Sequence, residues 1–239
     1  MEKKRSLERI PGRIAADLGV GIVSGRLKPG TILDGEVEAS GRRKVSRSAY
    51  REAIRVLTAK GLVKSRQKAG TRVTDPADWH LLDPDVLNWI FVQEPPRELL
   101  RNLFELRKLM EPEAAALAAE RRSLEQLNRM GMALEIMARE TLHTEEGRRA
   151  DNSFHAALLA ATGNPFLISL SGSVTAAVAW STMYKERTER LKRDAIPDHV
   201  RVYEAIAARD STAARAAMIT LIDLAFSDHT QLKRKKTRR

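Results

Sequence analysis

Residues 45–74 read VSRSAYREAIRVLTAKGLVKSRQKAGTRVT, and this stretch decides the architecture of the first third of the chain. Ser46 can accept from the unpaired N–H groups of a first helical turn, so it serves as an N-cap. Tyr50, Ala53, Ile54 and Leu57 follow at i, i+3, i+4 and i+7, the spacing of one buried helical face. Gly61 stands where a helix closes on a left-handed residue. Leu62–Ser65 and Thr71–Thr74 then alternate as two short strands around a basic tip, Arg66-Gln67-Lys68-Ala69-Gly70.

Working outward from this stretch, Ile14, Leu18 and Ile22 form a short amphipathic helix ended by Gly25 and the Lys28-Pro29-Gly30 turn. A second helix fits Glu36–Arg43, with Val37 and Ala39 as its apolar side. Three helices followed by a hairpin describe a winged helix. Residues 75–96 hold four of the nine prolines and two of the three tryptophans, and with Trp79, Leu82, Leu87 and Trp89 they are too apolar for a loose linker. They read as a connector packed on one or both domains. From Pro96 onward every pattern is helical. Leu99, Leu103, Leu106 and Met110 share a face, and Ser123 with Gln126 forms a capping box ahead of Leu127, Met130, Leu134 and Met137. A helix over 151–161 ends at Gly163-Asn164-Pro165, one runs from about Phe166 to Arg190, Pro197 opens another, and a last helix follows Ser211. The expected fold is mostly α: a winged helix-turn-helix over 1–76, a connector over 77–96, an all-α bundle over 97–230 and a loose basic tail over 231–239.

The charge divides along the chain in the same way. Residues 1–75 carry 18 Lys/Arg against 8 Asp/Glu, and the last nine carry six basic residues and no acid. The intervening stretch is net acidic, so one end of the molecule is built to meet a polyanion. An apolar content of 43% supports a real core. The absence of cysteine excludes disulfide scaffolds, thiol catalysis and thiolate zinc sites. Met1-Glu2-Lys3-Lys4-Arg5 has no apolar segment behind it, and no run approaches the roughly 18 residues of a membrane span. A soluble, cytoplasmic protein with no membrane partner is expected.

A helix-turn-helix reads DNA with arginines near the N-terminus of its second helix, on the face away from the core. Arg47 and Arg51 meet that demand, with Arg55 one turn further on, and Ser46 and Ser48 can join the helix N-terminus in holding phosphate. Arg42 adds charge beside them, and Arg66, Lys68 and Gly70 form the wing tip. An arginine row alone is most often a solvated face; cap, row, apolar seam and basic hairpin together point to duplex DNA. Two half-sites one turn apart then call for a homodimer on a palindrome. In the helical half, Asp151 and His155 lie one turn apart and can point at one ion, although a surface pair has the same spacing. Oxygen with imidazole suits zinc first, then nickel or manganese. His199 joins only if folding brings it near. Nothing resembles His-Glu-x-x-His, Gly-x-Ser-x-Gly or a P-loop, so a metal-dependent hydrolase is the weaker reading and no enzyme is expected.

Several of these segments together resemble a family. Gly25-Arg26-Leu27-Lys28-Pro29-Gly30, Val45-Ser46-Arg47, Arg51-Glu52-Ala53-Ile54, Gly61-Leu62-Val63 and Gly70-Thr71 are similar to the winged-helix domain of GntR-family transcription regulators. Asp34-Gly35 stands where that family has Pro-Ser, Ala39 and Arg43 where it has larger apolar residues, and Lys44 where it has a turn glycine. Residues 97–225 resemble the ligand-binding domain of the FadR-type subgroup, on Glu105-Leu106-Arg107 with Glu111-Pro112, Asp151 with Phe154-His155, Gly163-Asn164-Pro165, and His199 ahead of Ala205-Ile206. That resemblance implies a metal held by one Asp and three His beside a carboxylate effector. Asp151, His155 and His199 fall on three of the positions, and Leu221 stands near the fourth. Either three ligands hold the ion and leave positions for the effector, or the pocket binds by hydrogen bonds alone. Arg107 is the natural carboxylate clamp, with an ion pair to a nearby Glu as its other role. The segment Trp79–Trp89 is similar to that of galactonate-operon repressors and their sugar-acid relatives, which implies a hexonate or another sugar acid as effector, another small carboxylate being the alternative. Repression relieved by the effector is the expected mode.

Overall fold

The computed structural model describes the backbone of residues 2–67, 69–92, 95–187 and 193–230, and the side chains of 10–67, 69–92, 95–180 and 193–228. The chain divides into two compact units, Met1–Pro95 and Pro96–Arg239.

The first unit contains α1 (Glu2–Val23), α2 (Glu36–Arg43), α3 (Arg47–Ala59), the antiparallel strands β1 (Val63–Arg66) and β2 (Gly70–Val73), a 3-10 turn (Pro76–Asp78) and α4 (Pro84–Phe91). Each strand starts or stops within one or two residues of its expected place. Ile14, Leu18, Ile22, Ala39, Tyr50, Ala53, Leu57, Leu62 and Val73 form the buried centre, which is the face the helical spacing marked. Residues 30–33 add an edge to the hairpin, with Gly30 N–H donating to Val73 O, Val73 N–H to Thr31 O, and Leu33 N–H to Thr71 O. Val37, expected on the apolar side of α2, is 64% exposed, so Ala39 alone anchors that helix by burial. Lys44 closes α2 in the left-handed region (φ 53°), a conformation that suits the glycine it replaces.

The stretch expected as a connector is part of this unit up to Pro95. Asp83 caps α4 by accepting from the N–H groups of Asp85 and Val86. Trp89 lies against α1 at Gly19, where any Cβ would collide with the indole ring. The Lys60 ammonium bonds both Asp83 oxygens (2.7 and 2.8 Å), reaches Asp85 (2.8 Å) and lies over the Trp89 ring. Gly61 has φ +74°, and the Asp78 carbonyl packs where its side chain would stand. A basic residue at the end of α3 and a bare glycine therefore seat the connector on the head.

The second unit is helical throughout its described residues: α5 (Arg97–Arg121), α6 (Leu124–Glu140), α7 (Glu145–Ala161), α8 (Pro165–Ser169), α9 (Ser171–Arg187), α10 (Ile196–Ala207) and α11 (Ser211–Thr230). α5 packs on α11, α6 on α7, α7 on α9 and α10 on α11. The capping box of Ser123 and Gln126 forms as expected. Two expectations are corrected. The helix from Phe166 is two helices, broken at Leu170, where Ser169 and Ser171 hydroxyls donate back to the carbonyls of Phe166 and Ile168 and compete with the ladder. On α5 the buried face is not the leucine row: Leu106 is partly exposed, while Phe104, Arg107, Glu111, Ala114, Ala115 and Ala118 point inward. Small alanines let α5 approach its neighbours closely, and a charged pair occupies the centre of its buried face.

Candidate functional site

Five buried side chains from three helices meet inside the second unit. α7 offers Asp151 and His155 one turn apart, α10 offers His199 in its first turn, and α5 offers Arg107 and Glu111. His199 Nε2 lies 3.1 Å and His155 Nε2 3.7 Å from Asp151 Oδ1. Each imidazole is oriented through its other nitrogen. His199 Nδ1 faces the Ala195 carbonyl at 2.8 Å, and His155 Nδ1 faces Glu111 Oε2 at 3.3 Å. With Nδ1 donating to these acceptors, both Nε2 atoms face Asp151, and a cation placed among the three would receive their lone pairs.

One ligand atom from each of Asp151, His155 and His199 lies within 4.8 Å of the others. A tetrahedral ion at the usual 2.0–2.2 Å from its ligands separates them by about 3.4 Å, a value that the distances of 3.1 and 3.7 Å bracket. His199 Nε2 is buried and, although close to Asp151, makes no aligned hydrogen bond. A buried imidazole nitrogen in that state calls for another partner. The donor set of one oxygen and two nitrogens fits a divalent metal. Leu221, near the position the resemblance gave to a fourth ligand, is a buried core residue of α11.

The electrostatics follow from burial opposed by pairing. Burial pushes the Asp151 carboxyl up, but His199, His155 and Arg107 together hold it below the usual range. Burial pulls His199 down, and the Asp151 carboxylate outweighs it and raises the imidazole. Glu111 is opposed by burial too, yet Arg107 and His155 lower it to about 2. Arg107, expected as a clamp for an effector, donates from Nε to Glu111 Oε1 (2.6 Å) and from Nη2 to Glu111 Oε2 (3.4 Å). Of its two expected roles the ion pair is formed. Sequence reasoning quoted Glu111 only as a landmark; an Arg and a Glu four apart amid alanines was the available signal. The Ala195 carbonyl left none.

In the first unit, Ser46 accepts from the Ala49 N–H (3.1 Å) and its hydroxyl lies 3.0 Å from that of Ser48. Arg47 is exposed and its side chain makes no hydrogen bond or ion pair among the described residues. Arg51 is bound side-on by Glu36, and Arg42 by Asp34 and Glu38. Arg66 is exposed at the end of β1, Gly70 opens β2 with φ +77°, and Lys68 lies outside the described residues. The contact of Glu36 with Arg51 was not legible in the sequence. The two residues lie fifteen positions apart, beyond any helical repeat.

A model of the gntR family of bacterial regulatory proteins matches residues 11–73, and a model of the FCD domain matches residues 102–224. The chain belongs to the GntR family. It is a DNA-binding transcriptional regulator of the FadR type, with a winged helix-turn-helix head and an all-helical FCD domain. This GntR-family chain is 33% identical over 217 residues to the galactonate operon transcriptional repressor of Escherichia coli (strain K12), covering 88% of this chain and 92% of that one. It is 35% identical over 160 residues to the E. coli regulator YieP, covering 66% and 70%, and 34% identical over 207 residues to LutR of Bacillus subtilis (strain 168), covering 83% and 91%. A solved structure of Lar, which controls expression of the Listeria monocytogenes agr system, matches with a TM-score of 0.63 at 20% identity, covering 93% of this chain and 97% of that one. That likeness shows the fold alone. Among the described residues no helix is long and apolar enough to cross a membrane.

Proposed function

We propose that the protein is a cytoplasmic, homodimeric repressor of a carbohydrate-acid catabolic operon, released from a palindromic operator when a hexonate such as galactonate binds its FCD domain. The observation that carries the reading is the convergence of both Nε2 atoms on Asp151, with Arg107 in the same buried cluster. A divalent ion, zinc before nickel or manganese, would be held by Asp151, His155 and His199, and when bound it supplies open positions for a carboxylate and its neighbouring hydroxyl. Glu111 and the Ala195 carbonyl fix the imidazoles for that task. Arg107 spends its inner edge on Glu111, which leaves Nη1 and the outer N–H of Nη2 for the effector carboxylate. The likeness to the galactonate operon repressor favours a sugar acid over other carboxylates.

On the DNA side, α3 enters the major groove with Arg47 and Arg51. The helix N-terminus with Ser46 and Ser48 meets phosphate, Arg66, Lys68 and Gly70 contact the flanking backbone, and Arg42 joins them by exchanging a carboxylate partner for phosphate. The effector releases DNA only by binding the low-affinity arrangement of the dimer more tightly.

The test is a thermal-shift screen of the full-length protein with zinc, nickel or manganese, with and without chelator, against galactonate, other hexonates and small 2-hydroxycarboxylates. A ligand at 100 times its Kd stabilises the native state by about 2.7 kcal/mol. A hexonate shift abolished by chelator, and by His199→Ala, is the expected result. A shift only with another carboxylate moves the effector class, and no metal-dependent shift of any kind overturns the metal-assisted pocket.

A further inference from the structure

We propose that Glu36 is a positioning residue for base recognition: it holds Arg51 side-on so that the outer edge of the guanidinium is presented as a fixed fork for guanine. This rests on the reading that α3 enters the major groove. Glu36 begins α2 and Arg51 sits in the second turn of α3. Glu36 Oε1 accepts from Arg51 Nε at 2.9 Å and Oε2 from Nη2 at 2.7 Å. A guanidinium has five N–H groups in one plane. The side-on pair uses the Nε–H and the inner N–H of Nη2. The outer N–H of Nη2 and both on Nη1 remain, and two of these point outward in parallel.

Two parallel donors match guanine O6 and N7 in the major groove. At adenine one of them meets the N6 amino group, at thymine a single O4, and at cytosine another donor. Unsupported, an arginine at this position swings through many rotamers and takes a phosphate as readily as a base. Held by two bonds to a carboxylate on a different helix, it keeps one plane, and that plane carries the selectivity.

The neighbouring arginines differ in a way that singles out Arg51. Arg42 spends Nη1 on Asp34 and Nη2 on Glu38, so both of its outer nitrogens are engaged by carboxylates. Arg55 bonds Glu52 through Nη1 alone, and Arg47 has no side-chain partner among the described residues. Among these four, Arg51 alone is fixed by its inner edge with its outer edge open. Glu36 and Arg51 both line a concavity of about 830 Å³ bounded by α3 and the wing, together with Arg55 and Arg66. The Arg51 hydrogen bond holds Glu36 below the ordinary carboxylate range, so the buttress is charged at neutral pH. Glu36 caps nothing: the cap residue of α2 is Gly35, which has no side-chain bond.

The experiment is selection of binding sites from a randomised duplex pool by the full-length protein, comparing wild type with Arg51→Ala, Glu36→Gln and Glu36→Asp. Wild type should enrich one strongly preferred guanine in each half-site, and Arg51→Ala should lose that preference. Glu36→Gln should reduce guanine-over-adenine discrimination at the same position by about tenfold while binding to the pool and the melting temperature stay near wild type. Glu36→Asp keeps the charge but is one methylene too short for the two-bond grip, so it should lose the same discrimination and serves if the glutamine variant folds poorly. If both Glu36 variants select the same guanine as sharply as wild type, the positioning role is overturned while the Arg51 reading survives. If Arg51→Ala keeps every base preference, the reading of α3 through Arg51 fails and the buttress with it.

Discussion

Replacing Arg107 by Met leaves the Glu111 carboxylate in the protein interior, where only 1% of that residue is exposed, with His155 Nδ1 as its one remaining side-chain partner among the described residues. Removing one member of a buried ion pair costs about 3–5 kcal/mol, because the orphaned charge cannot regain its water. Arg107 also lies over the Phe104 ring, which Met continues to cover, so packing changes less than charge. For a unit of this size the loss corresponds to a melting temperature lower by about 6–20 °C. The double variant Arg107→Met/Glu111→Met removes both charges and costs only the unmet His155 N–H, about 1–3 kcal/mol. The double should therefore be the more stable of the two. Chelator-treated full-length protein followed by circular dichroism in urea and on heating measures both quantities. An Arg107→Met protein that melts within a degree or two of wild type, or a double variant less stable than the single one, would refute the buried-pair argument. The first result together with a lost effector shift would give Arg107 to the ligand alone.

Three other outcomes follow from the geometry. Gly61→Ala forces a side chain into the left-handed region and against the Asp78 carbonyl, so it should cost at least about 2 kcal/mol in the head, read as an earlier urea transition in tryptophan fluorescence. Lys44→Gly relieves a left-handed lysine worth about 1 kcal/mol and should raise the melting of the head by about 4–8 °C; an unchanged transition would mean that Lys44 carries no strain. His155→Ala should abolish effector-induced release in a mobility-shift assay and leave ligand-free DNA binding within about twofold of wild type, whereas loss of DNA binding in a well-folded variant would contradict two separate sites.

The third helix of the head was legible because it carried local information: a cap at Ser46, a 3.6-residue face through Tyr50 and Leu57, and a closing glycine at Gly61. The hairpin was legible from alternation. The buried face of α5 was not legible because Leu99, Leu103, Leu106 and Met110 share a helical face and Arg107 and Glu111 look like surface residues, yet Leu106 is exposed and the charged pair is buried. A buried ion pair reverses the usual assignment of polar residues to water, and only the helices packed around it make that affordable. The separation of α8 from α9 was hidden for another reason, since serine back-bonding leaves no mark on hydrophobic periodicity. Asp151 and His155 could be paired by spacing, but His199 reaches them only through the folding of α10 into the bundle, 44 positions later. The grip of Glu36 on Arg51 is likewise a contact between helices.

The self-pairing of the head also bears on how the protein tolerates ionic strength. Asp17 holds Arg26 and Arg43, Asp34 and Glu38 hold Arg42, Glu36 holds Arg51 and Glu52 holds Arg55. A cation already neutralised by its own carboxylate displaces little of the salt condensed on a duplex. The slope of log K against log salt is about −0.9 for each phosphate neutralised, so it should be far shallower than the basic composition of the head implies. Discrimination between sites, carried by oriented donors instead of bulk charge, would then survive swings in salt concentration that strip purely electrostatic binders from DNA.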